Sequence, residues 1–178
     1  GEGAAYIVLE SEESVMRKRK TPIAELKGFG NANDAYHQTA SSPEGTGALD
    51  AMKLALSSAN VSPSDIDYIN AHGTATENND LSEGIGIQKL FGEKAPSFSS
   101  TKPYTGHTLA AAGSIEAVYC LLGLQHQMIW PNLNFQHQMP EVSIAPVREL
   151  KEQVRMKHLL SNSFGFGGNT SSLLLASV

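Results

Sequence analysis

The 178 residues contain a single cysteine, Cys120. One cysteine makes no internal disulfide, so the expectation is a reducing compartment and a cytoplasmic protein. Positive charge is not in excess: 13 Lys and Arg stand against 18 Asp and Glu, a formal net charge of -5. Nucleic-acid binders usually carry the opposite balance, so no nucleic-acid partner is expected. No run reaches the roughly 18 apolar residues of a membrane-spanning helix, so no membrane partner is expected either. No secretory signal is recognisable. The six histidines, His37, His72, His107, His126, His137 and His158, include no pair at i, i+4 spacing. With no CxxC either, no metal is expected. Phosphate loops of the GxGxxG or GxxxxGK type are absent in usable context, which argues against nucleotide binding.

What is present alternates. "AAYIVLE" (4–10) reads as a buried strand. "SEESVMRKR" reads as a short helix capped by Ser11, with the basic run 17–20 at its solvated, electronegative end. A strand is expected at 22–33, a helix at 42–60, a strand at 66–71 and a helix at 79–92 stopped by Gly92. A short strand at 96–102 and a long helix at 108–127 follow. Residues 128–157, with Pro131, Pro140 and Pro146, read as irregular. The last segment, 158–178, reads as two strands joined by a glycine-rich turn. This alternation implies an α/β fold with a largely parallel sheet. Sites in such folds form beyond the carboxyl ends of the strands. The helix at 108–127 is apolar around most of its circumference, which calls for cover on all sides, as between two sheets. The chain is too short to supply a second sheet. It also opens directly into "GEGAAYIVLE" with no initiator Met, and the expectation is a piece of a longer protein.

Several residues are placed for chemistry. His72, in "NAHGTAT", stands at the carboxyl end of an expected strand. Position alone leaves a catalytic imidazole and a structural histidine equally open. His107 stands at the expected start of the long helix, whose dipole disfavours a protonated ring and favours a neutral Nε2–H donor. Glu116 falls within that apolar helix, where an unpaired carboxylate costs several kcal/mol or more, and Lys102 is its natural partner. The pair is either purely structural or orients water or His107 and sets the local charge. Asp80 and Glu83 open the helix after the His72 loop, where acidic residues are ordinary dipole partners; a second role, anchoring Lys102, stays open. "NSFGFGGNT" (162–170) is a turn whose glycines suit backbone N–H groups facing a ligand. Cys120, among Tyr119, Leu121 and Leu122, reads as a small buried hydrophobe.

These motifs together resemble the β-ketoacyl-[acyl carrier protein] synthases, condensing enzymes of the thiolase-like superfamily. "NAHGTATENNDLSE" resembles the family's histidine loop, "SSTKPYTGHTLAAAGSIE" its second histidine block, and "NSFGFGG" its C-terminal gating loop. The opening "GEGAAYIVLE" resembles the end of the family's N-terminal half, with the nucleophilic cysteine upstream. The resemblance implies a thiolase-like half of βαβαβαββ order, a mixed central sheet with helices on both faces. Residues 1–21 would end the N-terminal half, and 22–178 would form the C-terminal domain.

The implied reaction is the decarboxylative condensation of malonyl carrier protein with an acyl-enzyme thioester. His72 and His107 would be hydrogen-bond donors to the thioester oxygen, supported by Lys102 and Glu116. Phe166 would contribute an oxyanion-hole N–H and gate the site. Thr74 and Thr76 would bind the pantetheine arm, and Asp80 and Glu83 would support. No cofactor is implied beyond the substrate's own phosphopantetheine. The implied partners are acyl carrier protein, the N-terminal half and, in the intact enzyme, a second copy. The family's loop commonly reads GFGGTN where this chain reads GFGGNT, with Asn169 and Thr170 exchanged. The other function class is a non-catalytic chain-length subunit; such partners have little reason to keep His72, Lys102 and His107 together.

Overall fold

The computed structural model describes all 178 residues. Its elements run α1 (Glu12–Lys18), β1 (Glu25–Asn33), α2 (Thr46–Ala59), β2 (Tyr68–Asn70) and α3 (Glu77–Phe91). They continue β3 (Ser97–Ser99), α4 (Lys102–Thr105), α5 (Ala112–His126), β4 (His158–Phe164) and β5 (Asn169–Ala176). The five strands form one sheet in the order β1-β5-β4-β2-β3. β2 pairs in parallel with both β3 and β4, while β5 is antiparallel to both β4 and β1. The sheet is therefore mixed rather than largely parallel. The turn from β4 to β5 is too short for a crossover, which forces an antiparallel pair.

Period-two alternation sorts the core onto two faces. Ile69, Leu160 and Leu174 point to α2 and α3, where they meet Met52, Ala55, Leu56 and Ile87. Their neighbours Tyr68, Leu159 and Leu175 point the other way, towards Cys120 and Leu124 of α5. Helices thus cover both faces. α2 lies directly on β1 because two glycines let it approach: a Cβ at Gly30 would stand 2.1 Å from the Ala51 carbonyl oxygen.

Two expectations are corrected. Residues 4–10 form no strand: no strand of the sheet lies beside them, and Tyr6 and Val8 are almost fully exposed. α5 starts at Ala112, after a 3-10 turn at Leu109–Ala111, rather than at residue 108. Its buried side carries Ala112, Glu116, Ala117, Cys120 and Leu124, while Leu122 is exposed and Ile115, Val118, Tyr119 and Leu121 are half-buried. The all-round apolar helix is thus covered on one side only. Beside it, Leu26, Phe29 and Leu173 line an open groove on the β1–β5 end of the sheet. α1, capped by Ser11 as expected, buries nothing. Residues 128–157 are irregular apart from one bridge, Ile129 to Lys151. No helix is long and apolar enough to cross a membrane.

Gly30→Ala is expected to destabilise the chain by about 2–3 kcal/mol, since backbone rather than a movable side chain blocks the new methyl. Gly165→Ala, with nothing within 4 Å of its Cβ, should change stability little. Urea denaturation of the two variants checks the contrast.

Candidate functional site

The ends of β2, β3 and β4 converge at one point beneath the loop that begins with His72. His72 is buried, and its Nδ1 lies 3.1 Å from the Lys102 Nζ. An ammonium only donates, so Nδ1 must be the bare nitrogen and the neutral ring carries its proton on Nε2. Lys102, at the start of α4, also donates to Glu116 in the second turn of α5, and both side chains are buried. A buried charge needs such a partner. The second Glu116 oxygen has no hydrogen-bond partner. Burial raises the Glu116 carboxyl above its usual range, against the opposing pull of Lys102.

His107 stands beside His72, ring centroids 5.3 Å apart and planes at 86°. Its Nδ1 accepts the backbone N–H of Leu109 at 3.1 Å. Leu109 adopts a left-handed φ of 53°, uncommon for a residue with a Cβ. The same logic again leaves the proton on Nε2. Both imidazoles therefore present an Nε2–H, and no hydrogen bond within the chain uses either. Both rings are held neutral. Burial, then the Lys102 charge and His107, push His72 down to about 3. Burial, then the Lys102 charge, lower His107. The cause differs from the sequence reading, because His107 lies five residues before α5 and not on its first turn.

Glu83 is not a first-turn dipole partner: α3 begins at Glu77, which puts Glu83 one turn deeper and almost wholly buried. Its carboxylate accepts the backbone N–H groups of His72 and Gly73, each at 2.9 Å, and the Asn162 side-chain amide at 3.1 Å. It thus fixes the His72 loop to β4. Asp80 is in the first turn and accepts from the Ala75 N–H and the Asn79 amide. Neither carboxylate bonds Lys102. Ser100 closes the loop from β3, donating to the Gly73 carbonyl at 3.0 Å. The Thr74 and Thr76 hydroxyls lie 2.9 Å apart at the outer rim. Phe166 is 77% exposed, on the turn between β4 and β5. Sequence reasoning gave no role to Asn162; the Phe164 ring packs with its centroid 5.2 Å from that of His72. Alternation along β4 was the available signal, since it sends Asn162 towards α3. A cavity of about 650 Å³ opens beside the His107 ring, with Thr74, Lys102, Asn132 and Phe135 also in its wall.

The sequence profile described as "Beta-ketoacyl synthase, C-terminal domain" matches residues 23–136. The chain belongs to the β-ketoacyl synthase family. The 3-oxoacyl-[acyl-carrier-protein] synthase 2 of Staphylococcus aureus is 40% identical over 176 residues, 98% of this chain and 44% of that protein. The chain therefore spans about half the length of the curated relatives it matches. Among solved structures, a ketosynthase in complex with its type II polyketide acyl-carrier protein superposes with a TM-score of 0.90. The two are 33% identical, and the match covers 95% of this chain and 42% of that one. A ketosynthase from Xenorhabdus doucetiae, solved with its chain length factor, gives a TM-score of 0.79 at 40% identity, covering 90% of this chain and 40% of that one. This chain thus has the α/β fold of the corresponding part of these β-ketoacyl synthase neighbours.

Glu83→Ala leaves two backbone N–H groups and the Asn162 amide without their acceptor, and should cost roughly 3 kcal/mol or more. Glu83→Gln should cost less. His72 gives a pH signature. Its folded-state pKa is depressed, so its contribution to stability is present above its ordinary value of 6.5 and is lost as pH falls towards about 3. His72→Asn should flatten that part of the stability–pH curve, read by thermal unfolding at stepped pH.

Proposed function

We propose that this chain is the C-terminal half of a condensing acyltransferase that joins malonyl carrier protein to an acyl-enzyme thioester, in fatty-acid or polyketide and polyene synthesis. The observation that carries the reading is the pair of neutral imidazoles, each with Nδ1 engaged by a donor and Nε2–H available. When the malonyl thioester loses CO₂, the bonding electrons move onto the thioester oxygen. Two N–H donors placed in advance stabilise that charge without reorganising. The resulting carbanion attacks the acyl thioester carbonyl, and the enzyme thiolate leaves. Lys102 supports the arrangement by fixing the His72 tautomer and raising the local positive potential, with Glu116 as its counter-charge.

The thiolate is not Cys120. That residue is 2% exposed in α5, and burial pushes its thiol up to about 12. A nucleophilic thiol needs the opposite environment. We assign the nucleophile to an N-terminal half, with residues 1–21 as its last part and the open apolar side of α5 and the β1–β5 groove as the surface it covers. The substrate arm is the phosphopantetheine of acyl carrier protein, held by Thr74 and Thr76, so no other cofactor enters. Phe166 gates the site and gives its N–H to the acyl oxyanion. The intact enzyme is taken to be a cytoplasmic homodimer. The three residues His72, Lys102 and His107 in contact favour this reading over a non-catalytic chain-length subunit.

In the intact enzyme, His72→Asn and His107→Asn should each lower malonyl decarboxylation and condensation by about 10²–10³-fold. The isolated 178-residue chain should form no β-ketoacyl product from acyl and malonyl carrier protein. Product from the pure chain would overturn the half-site reading.

A further inference from the structure

The exchange of Asn169 and Thr170 has a geometric consequence at the turn that carries Phe166. Thr170 is buried, and its hydroxyl donates to the Gly47 carbonyl at 3.0 Å. Asn169 is exposed, and it grips Phe166 from both sides. Its backbone carbonyl accepts the Gly165 N–H at 2.8 Å, and its side-chain Nδ2 donates to the Phe166 carbonyl at 3.2 Å. Its Oδ1 accepts from the Asn33 Nδ2 at 3.2 Å, and that same Nδ2 lies 2.8 Å from the Gly167 carbonyl. Asn33 is in turn fixed by the Ala35 N–H on its Oδ1 at 2.8 Å. Asn33 and Asn169 face each other at the last rung of the β1–β5 pairing. Beyond that rung Gly167 and Gly168 have φ of 79° and 77°, which only glycine adopts freely.

We propose that Asn33 and Asn169 form a latch that positions the Phe166 peptide, and so sets the rate at which an acyl group is transferred through the gate. The proposal rests on the reading of Phe166 as gate and oxyanion donor. With its ring mostly exposed, hydrogen bonds rather than packing hold Phe166 in place. The latch needs a forked side chain with a donor on one arm and an acceptor on the other. A threonine at 169, the family's common order, has one oxygen and cannot meet both partners. The exchange puts the compact β-branched residue inside the strand and the forked amide outside, over the gate. Asn33 and Asn169 are positioning residues: they touch no reacting atom.

A double-mutant cycle in the intact enzyme tests this. Acyl transfer from acyl carrier protein onto the enzyme is timed for wild type, Asn33→Ala, Asn169→Ala and the double variant, with thermal midpoints measured alongside. Each single change should lower the maximal acylation rate about tenfold with KM nearly unchanged, and the double variant should be no slower than the slower single, as coupled sites require. Asn169→Asp keeps the acceptor for Asn33 but loses the donor to Phe166, and should behave like Asn169→Ala. Asn169→Thr should do the same. The midpoints should stay together, since both side chains are exposed. Unchanged rates, losses that multiply in the double variant, or rates that follow the midpoints would overturn the latch. A wild-type enzyme that forms no acyl-enzyme would instead overturn the functional reading, before any variant is compared.

Discussion

One buried ammonium organises the site. Lys102 sits between the His72 ring and the Glu116 carboxylate, and its three protons leave it no role but donor. Three consequences follow from that contact. The His72 tautomer is set, because Nδ1 must accept. His72 is kept neutral, because a second cation beside Lys102 in a buried place is costly. The ends of β2 and β3 are tied to α5, because the three residues come from three separate segments. Removing the ammonium would leave Glu116 as a buried, unpartnered charge, at a cost of about 3–5 kcal/mol.

A second carboxylate works through the backbone. Glu83 accepts three N–H groups, two from the His72–Gly73 turn and one from Asn162 on β4. Burial raises its pKa while those three donors and Lys102 lower it. Lys102 thus fixes the ring of His72 and Glu83 fixes its main chain, from opposite faces of the sheet. The division follows from strand alternation. Asn162 points to α3, while Ser161 and Ser163 point to the groove beside Gly113 and α5.

The regular elements were legible because their signals are local. The helical spacing of the apolar residues in 42–60, the stop at Gly92 and the Gly-rich turn between two apolar runs depend on a few neighbouring residues, and the structure places α2, α3, β4 and β5 there. Residues 4–10 carry an equally strong apolar run, yet a strand exists only where a second strand pairs with it, and none does here. The residue pair Lys102–Glu116 was legible from a cost, that of burying charge. The place of Glu83 was not, since the sequence shows a carboxylate near a helix start and not which way the helix turns it.

The sequence by itself determined the alternating α/β order, the charge that had to be paired, and the residue types able to offer an N–H donor. Those properties are carried by single residues and short windows. Only the tertiary structure decided which nitrogen of each imidazole carries the proton, because that depends on Lys102 at 30 residues' remove from His72 and on the backbone bend at Leu109. It also decided that one sheet would be half parallel and half antiparallel, and that an exposed asparagine on β5 would reach across to β1. Hydrogen-bond direction and strand register are relations between distant segments, and no local window contains them.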